Sequence, residues 1–276
     1  MKNILPITTE IPIKTYNNIA YPLSVIFSNF NKPEDWLFLN SFSLKYGTEV
    51  NDITLNLPYN MDWECLDKKI ISPAGTTIDN IINELLDNRY VYIAVDEFFI
   101  PYRRNYQKQS FTHDILIYGF DDLEKEFYVI GYDKFKKYSC QKLQFSILEQ
   151  AIASANTFLN DNSETYEYFG AGNNFSLKLK NISSDLKINF DILRELVKSY
   201  IKGTEFYSHS GYLCYSGIQI YTKLIDDENA LLDNRNWNII KEHTEFILRF
   251  ISERFDSVSI DNGEYDELYS TICICL

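Results

Sequence analysis

The chain has 276 residues, enough for one large domain or two small ones with an ample core. Its formal net charge of −13 would repel a nucleic-acid backbone. No apolar run approaches the roughly 18 to 20 residues that span a bilayer, and Pro6 interrupts the N-terminus too early for a signal peptide. The five cysteines have neither disulfide nor zinc spacing. We therefore expect a cytoplasmic protein with reduced thiols that binds no nucleic acid, membrane or metal.

The first half of the chain alternates between helical and strand patterns. Helical patterns have apolar residues three and four positions apart, whereas the strand patterns are short apolar runs rich in β-branched residues. The predicted elements are a helix from Asn17 or Asn18 to Phe30 with Pro22 in its first turn, a helix over 78–86 capped by residues 76–79, and strands at 90–95, 115–118 and 127–130.

The second half is mostly helical. The patterns predict helices over 145–159, 192–201, 217–225 and 237–255, and one strand over 175–179. This gradient predicts two regions: a mixed α/β core over residues 1–140 and a mainly helical companion over residues 141–276.

The predicted hairpin that follows residue 112 carries a histidine and an aspartate near its two ends. His113 opens the first strand, and Asp133 comes just after the second. Neighbouring antiparallel strands bring side chains of one face within a few ångströms of each other. His113 and Asp133 could therefore form a base and the carboxylate that orients it, which are two members of a nucleophilic triad. The alternative is a buried strand histidine and a turn aspartate.

The order of the predicted elements matches a papain-like fold. There the nucleophile stands at the N-terminus of an early helix, whose dipole and free N–H groups stabilise a thiolate and an oxyanion. Here the corresponding helix start contains Asn17 and Asn18, which we assign to the oxyanion-binding helix N-terminus. We place the nucleophile position at Ala20, two residues before Pro22.

Three segments carry a family resemblance, at residues 95–102, 111–121 and 127–133. They resemble the N-terminal domain of butirosin biosynthesis protein H and, more distantly, the leader peptidases of bacteriocin exporters. Residues 217–225 and 241–249 resemble the helical half of the same family. The resemblance implies an α+β, papain-like fold with an antiparallel sheet and a helical C-terminal half.

The family resemblance also implies an activity in secondary metabolism, such as antibiotic or nonribosomal peptide biosynthesis. It implies an acyltransferase or amide synthase that moves an acyl group from a carrier-protein thioester, through a Cys-His-Asp triad, to a small amine. The expected partner is an acyl or peptidyl carrier protein. No cofactor is expected beyond the phosphopantetheine that the carrier itself bears.

The sequence departs from the family at the nucleophile, because no cysteine occurs between Met1 and Trp63. Alanine at position 20 indicates either an engineered Cys-to-Ala replacement or a natural pseudoenzyme. The first is favoured, because Cys→Ala is the usual smallest change that removes a nucleophile. A pseudoenzyme would be a binding module that uses the same cleft. A thioesterase or a peptidase would share the triad with the acyltransferase.

Other residues near the hairpin are candidate contacts. Asp96 ends the central strand, and Tyr102 follows it; we expect both to bind substrate, with a strand-end cap as the alternative for Asp96. A carrier protein is usually acidic, so it would need a local basic surface on this acidic chain. Arg103, Arg104 and Lys108 are expected to form that surface, which we call the carrier rim.

Overall fold

The structure is a computed structural model. It describes residues 1–42, 44–48, 52–55, 65–72, 75–161, 174–180, 190–207, 211–227 and 233–255. The chain divides into two compact units, each built from separate stretches of sequence. Unit 1 comprises residues 1–11, 20–29 and 60–182, and unit 2 comprises residues 12–19, 30–59 and 183–276.

Unit 1 is organised around an antiparallel sheet. Seven of the described strands belong to it: β1 (Lys2–Ile4), β4 (Leu66–Ile71), β5 (Tyr90–Asp96), β6 (Thr112–Asp121), β7 (Glu126–Tyr132), β8 (Tyr138–Gln144) and β9 (Asn174–Leu179). Their order is β4-β9-β5-β6-β7-β8, and β1 pairs with β6. All seven residues of β5 are buried, as expected for a central strand whose two faces are covered.

Three helices accompany this sheet. They are α1 (Asn17–Asn29), whose residues from Ala20 belong to unit 1, α3 (Ile78–Leu86) and α4 (Phe145–Asp161). Thr77 caps α3 by accepting a hydrogen bond from the N–H of Asn80, as the sequence predicts. Ile81 and Leu85 form the buried stripe of that helix.

Unit 2 combines a small antiparallel sheet with helices. Its strands, in spatial order, are β10 (Thr204–Tyr207), β11 (Leu213–Ser216), β2 (Leu44–Gly47) and β3 (Asp52–Leu55). The ring of Phe38 stacks on that of Phe250 at 4.1 Å between centroids. The helices that lie within this unit are α2 (Pro33–Ser41), α5 (Phe190–Lys202), α6 (Gln219–Asp226) and α7 (Asn234–Phe255).

The mixed α+β class with an antiparallel sheet is confirmed, but the boundary expected at residue 140 does not separate the two units. Strand β9 is paired with β4 and β5, so the chain returns to the first sheet well after residue 140. Conversely, β2 and β3 belong to the sheet of unit 2 because β2 pairs with β11. No helix in the described part of the chain is long and apolar enough to cross a membrane.

Candidate active site

Helix α1 begins at Asn17, as predicted, so Ala20 is its fourth residue. Ala20 is fully buried, with 0 % of its surface exposed, whereas Asn18 in the same turn is exposed. In the described conformation, the position in this turn that a ligand can reach is Asn18, because the Ala20 methyl group is enclosed. The two predicted oxyanion positions, Asn17 and Asn18, are the first two residues of the helix.

His113 lies near the start of β6, directly opposite Val95 of β5. Its imidazole is half-buried and stacks on the ring of Phe111, with 5.6 Å between ring centroids and 24° between the ring planes. The backbone of Phe111 is fixed on both sides, because its N–H donates to Asp96 and its carbonyl accepts from the N–H of Glu97. The imidazole of His113 therefore packs against the ring of a residue whose backbone is fixed by hydrogen bonds.

The register of β6 and β7 bears on the predicted triad. Leu116 is opposite Ile130, so the same register, if continued, would place position 113 opposite position 133. The paired residues end at Leu116 and Ile130, however, although β6 extends back to Thr112 and β7 runs on to Tyr132. The two strands separate where the triad partners would meet.

Asp133 has a different set of partners from those predicted. Its Oδ1 atom accepts hydrogen bonds from the N–H groups of Phe135 and Lys137, at 2.8 and 2.9 Å. These bonds stabilise the β7–β8 turn, which is the ordinary role of a turn aspartate. A bond between Asp133 and His113 is not among those of the described residues. The role of Asp133 in orienting His113 remains a prediction. Because Oδ1 already accepts two hydrogen bonds, Oδ2 is the oxygen that would accept one from His113.

A buried polar cluster, which the sequence did not predict, lies beside His113. The Asp114 carboxylate accepts a 2.6 Å hydrogen bond from Tyr92, and its other oxygen is buried without a partner among the described residues. Burial raises the pKa of Asp114, and the charge of His113 and the bond from Tyr92 offset part of that rise. Tyr21 of α1 donates to the Asp114 carbonyl oxygen at 3.0 Å.

Asp96 is a structural residue rather than a substrate contact. Asp96 is 1 % exposed, and its carboxylate accepts four hydrogen bonds within the protein. Burial alone would raise the pKa of Asp96, but these bonds outweigh burial and lower it. The donors are Phe98 N, Phe111 N, Ser110 Oγ and Ser154 Oγ. The strand-end cap, which was the alternative, is the observed role.

Tyr102 lines a surface cavity of about 360 Å³, together with Lys134, Leu143 and Ile147. Its hydroxyl is buried without a partner among the described residues, and burial raises the pKa of Tyr102 to about 12. A role for Tyr102 in substrate binding therefore remains a prediction. In this conformation its ring, and not its buried hydroxyl, would contact the substrate.

The predicted carrier rim loses one of its three members. The side chain of Arg103 is 3 % exposed and lies inside unit 1, where Nη1 is 3.7 Å from a Glu97 carboxylate oxygen. Arg104 and Lys108 are exposed, and Lys108 donates to the Arg104 carbonyl oxygen. The prediction for Arg103 was wrong because a charged residue in a polar loop gives no sequence signal of burial. Within the described ranges, no three His, Cys, Asp or Glu side chains are grouped as a metal site.

Comparison with known proteins finds a family match for part of the chain. Residues 23–131 match the family described as "Butirosin biosynthesis protein H, N-terminal", which confirms the resemblance for that stretch. The match begins at Leu23 and thus includes His113 but neither Asn18 nor Ala20.

The chain is also similar to a solved structure described as a C39-like peptidase from Bacillus anthracis. The two share 13 % sequence identity with a TM-score of 0.25, and the alignment covers 42 % of this chain. The chain spans about half of that peptidase, 52 % of its length. No curated protein sequence matches the chain.

Proposed function

We propose that this chain is an acyl-handling protein of the papain-like class, whose activity is acyl transfer or amide formation. The observation that carries the proposal is the position of His113. It opens an inner strand of the sheet within the stretch that matches the family, and its half-buried imidazole is held against Phe111. A half-buried histidine can exchange protons with a bound substrate, as a general base must.

In the proposed reaction a thiolate on the first turn of α1 attacks the carbonyl carbon of a carrier-bound thioester. His113, which has taken the proton of the attacking thiol, gives that proton to the departing carrier thiolate, and an acyl-enzyme thioester remains. An amine then attacks this acyl group while His113 takes the amine proton, and the amide leaves as the enzyme thiolate re-forms. Asp133 would orient the imidazole. In the present sequence Ala20 occupies the proposed nucleophile position.

A second candidate is a binding module that holds the acyl group without reacting with it. The burial of Ala20 favours it, because position 20 is enclosed and the exposed residue of the turn, Asn18, is not a nucleophile. The two candidates share the same cleft and differ only in whether a covalent bond forms. Hydrolysis, as in a thioesterase or a peptidase, differs from amide formation only in the use of water as the acceptor.

Cysteine substitution followed by intact-protein mass spectrometry tests the proposal. Ala20→Cys is incubated with a small acyl thioester, and an acyl adduct that maps to position 20 is expected. Adding His113→Ala should abolish turnover, because the thiol loses its base. Ala151→Cys is the matched control, since Ala151 of α4 is also 0 % exposed.

The outcomes separate the candidates. An adduct on Asn18→Cys but not on Ala20→Cys would move the nucleophile to the exposed residue of the turn. If neither reacts but the unchanged chain binds the thioester, the binding module is correct. Equal labelling of Ala151→Cys, or neither reaction nor binding, would refute acyl handling. Product analysis with and without an amine then distinguishes transfer from hydrolysis.

The proposed donor is a carrier protein that bears phosphopantetheine. Arg104 and Lys108 are the exposed members of the predicted rim, and surface charges of this kind act mainly on the encounter rate. In Ala20→Cys, reversing both to Glu should slow acylation by a carrier-bound donor severalfold and leave a small soluble thioester unaffected. Equal slowing of both donors would exclude a carrier-docking role for these residues.

A further inference from the structure

The guanidinium of Arg103 occupies the opening between β6 and β7. These strands stop pairing after Leu116 and Ile130, so the backbone of Asp114 lacks a strand partner on the β7 side. On its other side Asp114 is paired with Ala94 of β5. An unpaired carbonyl inside a sheet is costly unless another donor reaches it.

Two side chains supply that donor. Arg103 Nη2 donates to the Asp114 carbonyl oxygen at 2.9 Å, and Tyr21 Oη donates to the same oxygen at 3.0 Å. Helix α1, the loop after β5 and strand β6 therefore meet at one oxygen atom. The N–H of Lys134 donates to the carbonyl oxygen of Tyr102, which holds the loop against the end of β7.

Gly131 of β7 makes room for this contact. A Cβ atom at position 131 would lie 2.7 Å from Arg103 Nη2 and 2.8 Å from the Tyr21 hydroxyl oxygen, closer than a Cβ atom approaches a neighbouring side chain. Any other residue would push the guanidinium or the tyrosine away from Asp114. The glycine in the sequence Ile-Gly-Tyr-Asp, residues 130–133, is therefore explained by the buried arginine.

Burying Arg103 costs more free energy than continued backbone pairing of β6 with β7 would. A buried guanidinium carries a desolvation cost of several kcal/mol, whereas backbone pairing would close the sheet without any charge. Arg103 recovers part of this cost from Glu97, whose carboxylate is 3.7 Å from Nη1 and is itself held by Asn105. Its Nε atom has no partner among the described residues.

We infer that Arg103 is a positioning residue for His113. The guanidinium and the Tyr21 hydroxyl fix the peptide of Asp114, and Asp114 directly follows His113 in the strand. The pairing of His113 with Val95 fixes the other side of this strand. The imidazole is thus held in one orientation relative to α1. The catalytic use of that orientation rests on the proposed function, whereas the orientation itself does not.

The ring resonances of His113, observed by NMR in the full chain with labelled histidine, test the inference directly. Arg103→Met should displace these resonances and leave those of His243, which lies in unit 2, unchanged. Arg104→Met is the matched control, because it removes the same charge from the next, exposed residue. Arg103→Lys, which keeps the charge and one donor, should restore the His113 resonances in part.

A milder variant covers the case in which Arg103→Met does not fold. Tyr21→Phe removes one donor to the same carbonyl oxygen and keeps the ring that packs edge-on against Tyr92. It should displace the His113 resonances in a folded protein. If Arg103→Met folds and its His113 resonances are unchanged, the inference is overturned. If Arg103→Met does not fold, unchanged His113 resonances in Tyr21→Phe overturn it instead. An equal displacement in Arg104→Met would do the same.

A kinetic measurement separates this inference from the proposed function. In the Ala20→Cys background, Arg103→Met should lower kcat for acyl transfer by about 100-fold, the usual effect of displacing a catalytic group by on the order of 1 Å. KM for a small thioester should be nearly unchanged. If Ala20→Cys forms no acyl-enzyme, the proposed function fails, and the NMR comparison still decides whether Arg103 positions His113.

Discussion

The buried histidine of unit 2 gives the most quantitative prediction. His243 of α7 is 0 % exposed, and its Nε2 atom donates to the carbonyl oxygen of Ser41 at 2.7 Å. A carbonyl oxygen only accepts, so the neutral ring carries its proton on Nε2 and leaves Nδ1 bare. Nδ1 is buried without a partner among the described residues. Burial lowers the pKa of His243 from 6.5 to about 4, although the bond to Ser41 opposes this.

The sign of the effect on stability follows from proton uptake. Between pH 6.5 and about 4 the unfolded chain binds a proton at His243 that the folded chain excludes, so folding becomes less favourable as the pH falls. One pKa unit corresponds to about 1.4 kcal/mol. Between pH 7.5 and pH 5 the predicted loss in the free energy of unfolding is therefore about 2 kcal/mol, with a ceiling of about 3 kcal/mol below pH 4.

Urea unfolding of the full chain, followed by tryptophan fluorescence, measures this loss. Trp36 and Trp237 both lie in unit 2 and report on it. His243→Gln keeps an N–H donor for Ser41 but cannot be protonated, so its stability should depend less on pH by about 2 kcal/mol over this range. All other groups are the same in the two proteins, so their contributions to the pH dependence cancel. The same pH dependence in both proteins would refute the assigned protonation of His243.

Three further substitutions test individual contacts by urea unfolding. Gly131→Ala should cost about 1–3 kcal/mol of stability because its methyl group would overlap Arg103 and Tyr21; an unchanged midpoint would contradict the close approach. Asp96→Asn should cost about 2 kcal/mol at pH 7 because two hydroxyls and two N–H groups lose a charged acceptor, and the difference from the unchanged chain should shrink as the Asp96 carboxylate is protonated in acid. Glu242→Gln should cost about 1–2 kcal/mol, since one Glu242 oxygen accepts three hydrogen bonds from residues 14 and 15; a neutral result would show that the bonds do not matter.

The regular elements of unit 1 follow from local sequence. The apolar run at 90–95 became β5, the cap at Thr77 began α3, and the hairpin over 112–132 formed as its β-branched runs and charged turn predict. The burial of Ala20 could not be predicted, because local patterns fix the start of a helix only to within one or two residues. A shift of that size decides whether the methyl group of Ala20 is buried or exposed.

The errors elsewhere come from long-range contacts. No local signal predicts that β9 returns to the first sheet, because its pairing with β4 joins residues more than a hundred positions apart. The burial of Arg103 depends on a gap between two strands and on the missing side chain of Gly131. The carboxylate of Asp96 is held partly by groups distant in sequence, Phe111 N and Ser154 Oγ, which local patterns do not predict.

The central claim is that the chain handles acyl groups at His113, with or without a nucleophile. The most direct measurement is calorimetric titration of the unchanged chain with an acyl-pantetheine analogue in which an amide replaces the thioester, so that no reaction can occur. We predict saturable binding that is weakened at least severalfold in folded His113→Ala. Absence of binding, or equal binding by the two proteins, would contradict an acyl site at His113.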